Sequence, residues 1–190
     1  DSQRSAPEHL PEKPLMELKS LIRTIADYPQ AGIQFRDVTT LLKDPGGFAS
    51  VIDQLHERYR DQAIDIVAGI EARGFIVGAA LAYRMGLGFV PIRKQGKLPG
   101  DTVEQHYDLE YGTDTLEVHT DALTAGTRVL LIDDLLATGG TAMAAIHLIE
   151  RLNAQVISTA FVVDLPELNG REVLSNAGYE VFCLVEFAGH

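Results

Sequence analysis

The sequence predicts an α/β protein built on an open, mostly parallel, twisted sheet flanked by helices. Three observations carry that prediction. Short apolar runs at 64–70, 87–92, 129–132, 156–163 and 179–187 have strand length, and segments with helical spacing lie between them. The runs are apolar almost throughout rather than alternating, which suits strands buried on both faces of a parallel sheet. Four candidate ligand loops (71–74, 93–97, 133–141 and 164–165) leave C-terminal strand ends, the edge where open parallel sheets bind ligands. The crossovers are expected to be right-handed.

Taken in order, residues 1–12 are polar with Pro7 and Pro11 and predict a disordered arm. Residues 13–190 then form a single domain. Leu15, Leu18, Leu21, Ile22 and Ile25 recur at helical spacing and predict an amphipathic helix over 13–26, ended by Tyr28-Pro29. Residues 31–40 read as irregular, with Phe35 beside Arg36. Pro45 and Gly46 lead into a second helix over 48–59, with Val51, Ile52 and Leu55 on one side. After the strand at 64–70, Gly78, Ala79, Ala80 and Ala82 make a small-residue helix that can pack closely on a sheet. Residues 94–126 break the rhythm: they are polar, and 102–106 and 115–119 alternate weakly as a two-stranded excursion would. An insertion of this kind, with Glu110-Tyr111-Gly112 at its tip, predicts a flexible hairpin-like lid. A helix over 140–152 turns Met143, Ile146, Ile149 and Leu152 inward, and a short helical piece lies near 166–176.

Composition narrows the function. A chain of 190 residues with 46% hydrophobic content supports one domain with a full core. No apolar run approaches the ~20 residues of a membrane span, and no secretory segment is seen near the start. The first residue is Asp1 rather than Met, as in a processed or trimmed chain. Cys183 is the single cysteine and sits in an apolar run, which suggests a buried thiol in a reducing, cytoplasmic setting. The net charge of −11 argues against non-specific nucleic-acid binding. Within so acidic a chain, Arg93, Lys94 and Lys97 suggest an anionic substrate, although a solvated loop has the same composition. The six histidines are dispersed and show no zinc-ligand spacing.

The chemistry concentrates in VLLIDDLLATGGT, residues 129–141. A strand, a turn of small residues and a helix N-terminus form an anion site, because unpaired backbone N–H groups and the helix dipole point at one place. Thr138 and Thr141 add hydroxyl donors, and Gly139 and Gly140 permit close approach. A triphosphate loop would carry a lysine here, and none is present. Asp133 and Asp134 would repel a polyphosphate but suit the vicinal hydroxyls of a sugar. The stretch therefore reads as a site for a sugar bearing a terminal phosphate; an ordinary junction whose aspartates only cap and solvate is the bland alternative.

That stretch resembles the 5-phosphoribosyl 1-pyrophosphate (PRPP) motif of the type I phosphoribosyltransferases. With "GIQFRD", "EARGF", "IRKQGKLPG" and "YDLEYG", the chain from about residue 14 onward resembles the adenine phosphoribosyltransferases. Ala31 departs from the family, which often has a second proline there. The resemblance implies the type I phosphoribosyltransferase fold and the Mg²⁺-dependent joining of adenine to PRPP, giving AMP and pyrophosphate in purine salvage. It also implies a homodimer. Ala137, Thr138, Gly139, Gly140 and Thr141 would hold the 5′-phosphate, and Asp133 and Asp134 the ribose. A cis peptide at Glu71-Ala72 would turn N–H groups toward pyrophosphate, beside Arg73, Arg93, Lys94 and Lys97. Phe35 and Leu165 would sandwich the purine, and backbone groups of Gln34, Phe35 and Arg36 would read its edge. Glu110 would handle the proton of the base, with Arg73 as its catalytic companion, and Tyr111 would close the site. Magnesium would arrive on PRPP rather than in a protein cage.

Each role has a plainer counterpart. Arg73 could pair with Glu71 or another carboxylate, Phe35 could plug the core, and Glu110 could merely solubilise its loop. Two rival functions differ in visible ways. A 6-oxopurine phosphoribosyltransferase usually places a lysine or similar donor near the 6-oxo group, and none is evident beside Asp164-Leu165. A PRPP-sensing regulator that binds DNA would need an added DNA-binding element and a basic face.

Overall fold

The computed structural model describes residues 15–109 and 112–189, so the predicted arm 1–12 and the predicted lid residues Glu110 and Tyr111 lie outside the described residues. Its centre is a seven-stranded sheet. Five strands are parallel: β3 (Ile66–Ile70), β4 (Gly88–Lys94), β7 (Arg128–Leu136), β8 (Gln155–Asp164) and β9 (Val181–Glu186). The antiparallel hairpin of β5 (Thr102–Leu109) and β6 (Gly112–His119) extends one edge, giving the order β5-β6-β4-β3-β7-β8-β9. The predicted fold class is the observed one.

Period-two alternation along β7 accounts for its apolar run. Leu130 and Ile132 enter one core with Val51 and Leu55 of α3 (Pro45–Tyr59) and Val77 and Leu81 of α4 (Arg73–Met85). Val129 and Leu131 enter a second core with Ile146 and Ile149 of α5 (Gly140–Arg151) and Leu174 of α6 (Gly170–Asn176). All four β7 residues are fully buried, as a strand covered on both faces requires. Asp44 caps α3 by accepting from Gly47 N at 2.7 Å, so this helix starts before the predicted residue 48. Among the described residues no helix is long and apolar enough to cross a membrane.

The fold departs from expectation at three places. The first helix is only α1 (Leu15–Ser20); beyond it lies β1 (Arg23–Ala26), paired antiparallel with β2 (Gln34–Asp37). The segment 31–40 is thus not irregular, and α2 (Thr39–Lys43) comes directly after β2. Local helical spacing up to Ile25 loses to cross-strand packing: Ile25 sits opposite Phe35, Tyr28 meets Phe35 edge-on at 5.2 Å, and Arg36 Nη1 donates to Thr24 Oγ1 at 2.5 Å.

The second departure is the hairpin, whose strands run to the tip instead of stopping at 106 and restarting at 115. Its stem belongs to the sheet, because β6 pairs with β4 and buries Leu116 and Val118 completely. Third, β7 does not end before the acidic pair. It continues through Asp133 and Asp134 to Leu136, because β8 pairs with it along that length.

Candidate active site

The site is built on the last residues of β7. Asp133 and Asp134 are only 9% and 6% exposed, which places two adjacent carboxylates at the margin of the core. Asp133 Oδ1 accepts from Asp134 N at 2.8 Å, and Asp134 Oδ2 accepts from Arg73 Nε at 2.5 Å. Burial, and next the charge of Asp134, push the Asp133 carboxyl well above the usual carboxylate range. Burial works against the Arg73 charge, but the hydrogen bond to Asp134 and the nearby carboxylate charges outweigh it and hold the guanidinium pKa above its ordinary value. Arg73 and the acidic pair can approach so closely because Gly74 has no Cβ; one there would lie 3.0 Å from Asp133 Oδ1.

Beyond Leu136 the chain turns through Ala137, Thr138 and Gly139 into α5. Gly139 is the N-cap residue at φ +88, a left-handed conformation that favours glycine. It offers no side-chain cap, and the first turn of α5 has no acidic residue. The N–H groups at this helix start are therefore available to an anion. Gly170, at the start of α6, backs the turn: its N–H donates to Ala137 O at 3.0 Å. A Cβ at Gly170 would collide with that oxygen and stand 3.0 Å from Gly139 N. Gly170 is the functional neighbour that sequence reasoning missed, since nothing in its local sequence points back at the phosphate turn.

A cleft of about 290 Å³ joins these parts, lined by Glu71, Arg73, Lys94, Asp133, Asp134, Leu135 and the turn from Ala137 to Thr141. The predicted phosphate and ribose residues thus come together, with Glu71, Arg73 and Lys94 of the pyrophosphate set. The Glu71-Ala72 peptide is cis, as the resemblance implied. Arg93 and Lys97 do not line the cleft. Arg93 Nε lies 3.4 Å from Glu71 Oε1, and Lys97 is exposed on the turn after β4. Glu71 also accepts from Lys94 N at 2.5 Å, which ties the end of β3 to the end of β4.

The proposed purine residues stand apart from this lining. Gln34, Phe35 and Arg36 lie on β2, and Arg36 Nη2 donates to Ala188 O at 3.1 Å. Leu165, just past the end of β8, is 7% exposed and donates its N–H to Leu136 O at 3.0 Å, so it is fastened directly to the end of β7. The field of Asp37, the last residue of β2, contributes to raising the Arg73 pKa, which relates this ribbon to the cleft. Burial alone would raise the Asp37 carboxyl, but hydrogen bonds from Thr39 and Arg23 overcome it and hold the group below its ordinary value. Glu110 and Tyr111 lie outside the described residues.

No group of three or more metal-ligating side chains occurs among the described residues. The carboxylates lining the cleft are hard oxygen donors, a set that suits Mg²⁺ held largely by water and substrate oxygens.

An acidic strand end running into an uncapped glycine turn, on the C-terminal edge of a parallel sheet, suits a phosphorylated sugar, and comparison with known proteins places the chain in the phosphoribosyl-transferring class. The family model of the phosphoribosyl transferase domain matches residues 37–187. The chain is 58% identical over 176 residues to the adenine phosphoribosyltransferase of Chlorobium phaeobacteroides (strain BS1), covering 92% of this chain and 99% of that one. It is 60% identical to that of Prosthecochloris aestuarii, with the same coverage. The crystal structure of adenine phosphoribosyltransferase from Thermoanaerobacter pseudethanolicus superposes with a TM-score of 0.88 at 48% identity, covering 92% of this chain and 100% of that one. The Saccharomyces cerevisiae enzyme, solved with an imino-altritol bisphosphate and adenine, gives 0.84 at 40% identity, covering 90% and 98%. The chain belongs to the adenine phosphoribosyltransferase family.

Proposed function

We infer that this chain is an enzyme that transfers the 5-phosphoribosyl group of PRPP to adenine, releasing AMP and pyrophosphate. One observation carries the reading: two buried carboxylates run directly into an uncapped glycine-led helix start, inside a cleft that also holds Arg73 and Lys94. That geometry supports a role for each residue. The turn from Ala137 to Thr141 takes the 5′-phosphate through backbone N–H groups and the Thr138 and Thr141 hydroxyls. Asp133 and Asp134 accept hydrogen bonds from the ribose hydroxyls. Arg73, Lys94 and the Glu71-Ala72 backbone receive the pyrophosphate, with Arg93 and Lys97 adding longer-range positive charge.

In the reaction the bond from the anomeric carbon to pyrophosphate oxygen breaks, and pyrophosphate leaves with the electron pair. A ring nitrogen of adenine bonds to that carbon and gives up its proton, which we assign to Glu110. The ribose is cationic in the transition state, so the Asp134 carboxylate beside it and fixed cations at the leaving group both act where charge develops. Mg²⁺, when bound with PRPP, neutralises part of the pyrophosphate charge. Phe35 and Leu165 hold the base between them, with Gln34 and Arg36 at its edge. Tyr111, with the hairpin tip, excludes water that would otherwise capture the ribosyl cation.

We further propose a cytoplasmic homodimer within purine salvage. Ile76 and Tyr83, exposed two turns apart on α4, support a partner surface on that helix. A panel of adenine, hypoxanthine, guanine, xanthine and orotate assayed with Mg-PRPP tests the substrate. Adenine is expected to be consumed with stoichiometric pyrophosphate; preference for any other base overturns the assignment. Glu110→Gln should lower turnover far more than PRPP affinity, and unchanged turnover would remove Glu110 from proton transfer.

A further inference from the structure

Two cations line the cleft, Arg73 and Lys94, and each is already engaged by a carboxylate of the chain itself. The two arrangements differ in one respect. The partner of Arg73, Asp134, also lines the cleft and has work there. The partner of Lys94 is Asp114 on β6, which does not line the cleft and comes from the hairpin stem. Lys94 Nζ donates to Asp114 Oδ2 and, at 3.0 Å, to Tyr107 OH, and Tyr107 OH donates to the same Asp114 oxygen at 3.2 Å. Tyr107 and Asp114 face each other as one rung of the hairpin. That rung also reaches the phosphate turn, since a Cβ at Gly140 would lie 3.7 Å from Asp108 O and 3.9 Å from the Tyr107 ring.

An ammonium has three donors and no other capacity. With two of them committed to the stem, Lys94 can serve a diphosphate fully only by releasing Asp114. We propose that Asp114, assisted by Tyr107, is an internal competitor of the diphosphate for Lys94, so that the hairpin stem sets how tightly the cleft holds pyrophosphate. The proposal rests on the assignment of Lys94 to the pyrophosphate given above. Asp114 is a positioning residue in this scheme, acting only through Lys94. Burial opposes ionisation of both partners, yet the hydrogen bonds between them leave Lys94 raised and Asp114 lowered, so the pair stays charged through the neutral range. Tempered binding suits an enzyme that must let pyrophosphate go after each turnover, when product release limits the rate.

The test is calorimetric titration of the full chain with magnesium pyrophosphate. Asp114→Asn keeps an oxygen to accept from Thr115 N, as Asp114 Oδ1 does at 2.8 Å, and removes both the charge and the Oδ2 acceptor that engage Lys94. It is expected to tighten pyrophosphate binding roughly two- to five-fold, the scale of a half-exposed ion pair. Tyr107→Phe should tighten it by less. Lys94→Met should weaken binding, and adding Asp114→Asn to Lys94→Met should change nothing further. If Lys94→Met has no effect, the assignment of Lys94 to pyrophosphate fails, and this inference with it. If Lys94→Met weakens binding while Asp114→Asn leaves it unchanged or weakens it too, only the competitor role is overturned. A stem that merely supported the fold would produce that second pattern.

Discussion

The cleft and the region proposed to take the purine are built differently. On the phosphate and ribose flank, the groups come from one contiguous stretch, 129–141, and rest on a strand buried on both faces. Asp133 and Asp134 are held by backbone and by Arg73, and the turn beyond them is wedged against Gly170. On the purine flank, the proposed residues come from β2 and from the loop after β8, and β2 is part of a two-stranded sheet outside the main one. Under the proposed function, charge recognition falls on the core, and base recognition on a peripheral ribbon together with the buried Leu165. A sugar phosphate needs fixed dipoles; a flat base needs two apolar surfaces that can close on it.

The largest effect that would break this contrast is on the rigid flank. Asp133→Asn combined with Asp134→Asn should weaken PRPP binding by about two to four orders of magnitude, given ~1.5–3 kcal/mol for each hydrogen bond to a charged group. Calorimetry showing unaltered binding would sink the ribose assignment. Next comes Gly170→Ala, whose new methyl must displace Ala137 O. The KM for PRPP should rise on the order of ten- to a hundred-fold, since small misplacements are costly, while KM for adenine changes much less. Equal changes in both would mean that the flanks are not independent. Phe35→Ala should raise the KM for adenine about ten-fold, the scale of one lost base–aromatic stack, and spare PRPP affinity.

The smallest effect lies away from both flanks, at the start of β7. Arg128 donates to both oxygens of Asp65, at 2.8 and 3.0 Å, and these hydrogen bonds lower the Asp65 pKa to about 2. The folded state thus binds this proton less readily than the unfolded chain does. The stabilisation is present above the unfolded pKa of about 4 and is lost as pH falls through about 2. Asp65→Asn should lower Tm slightly at neutral pH, and the gap to the unaltered chain should close in acid. A gap that is constant with pH would show that the pair does not titrate as its geometry requires.

The same contrast explains what could be read beforehand. The glycine-led turn into α5 was legible because its parts are adjacent in the chain. The parallel strands were legible because burial on two faces leaves an apolar run. The β1–β2 ribbon was not: up to Ile25 the spacing fits a helix, and it is the pairing with 34–37 that makes it a strand. The hairpin was visible as an excursion, but its enrolment in the sheet depends on β4 presenting Arg93 and Lys94 to Glu117 and Leu116. Gly170 carries no local mark at all.

By itself, the order of residues determined the α/β class, the glycine turn and the acids beside it, because local periodicity and adjacency are properties of the chain. Tertiary structure decided which cations reach the cleft, that Arg73 is bound to Asp134 and Lys94 to Asp114, and that a distant glycine shapes the phosphate turn. The physical reason is that ion pairing and close packing act through space, between segments whose separation along the chain leaves no trace of their meeting.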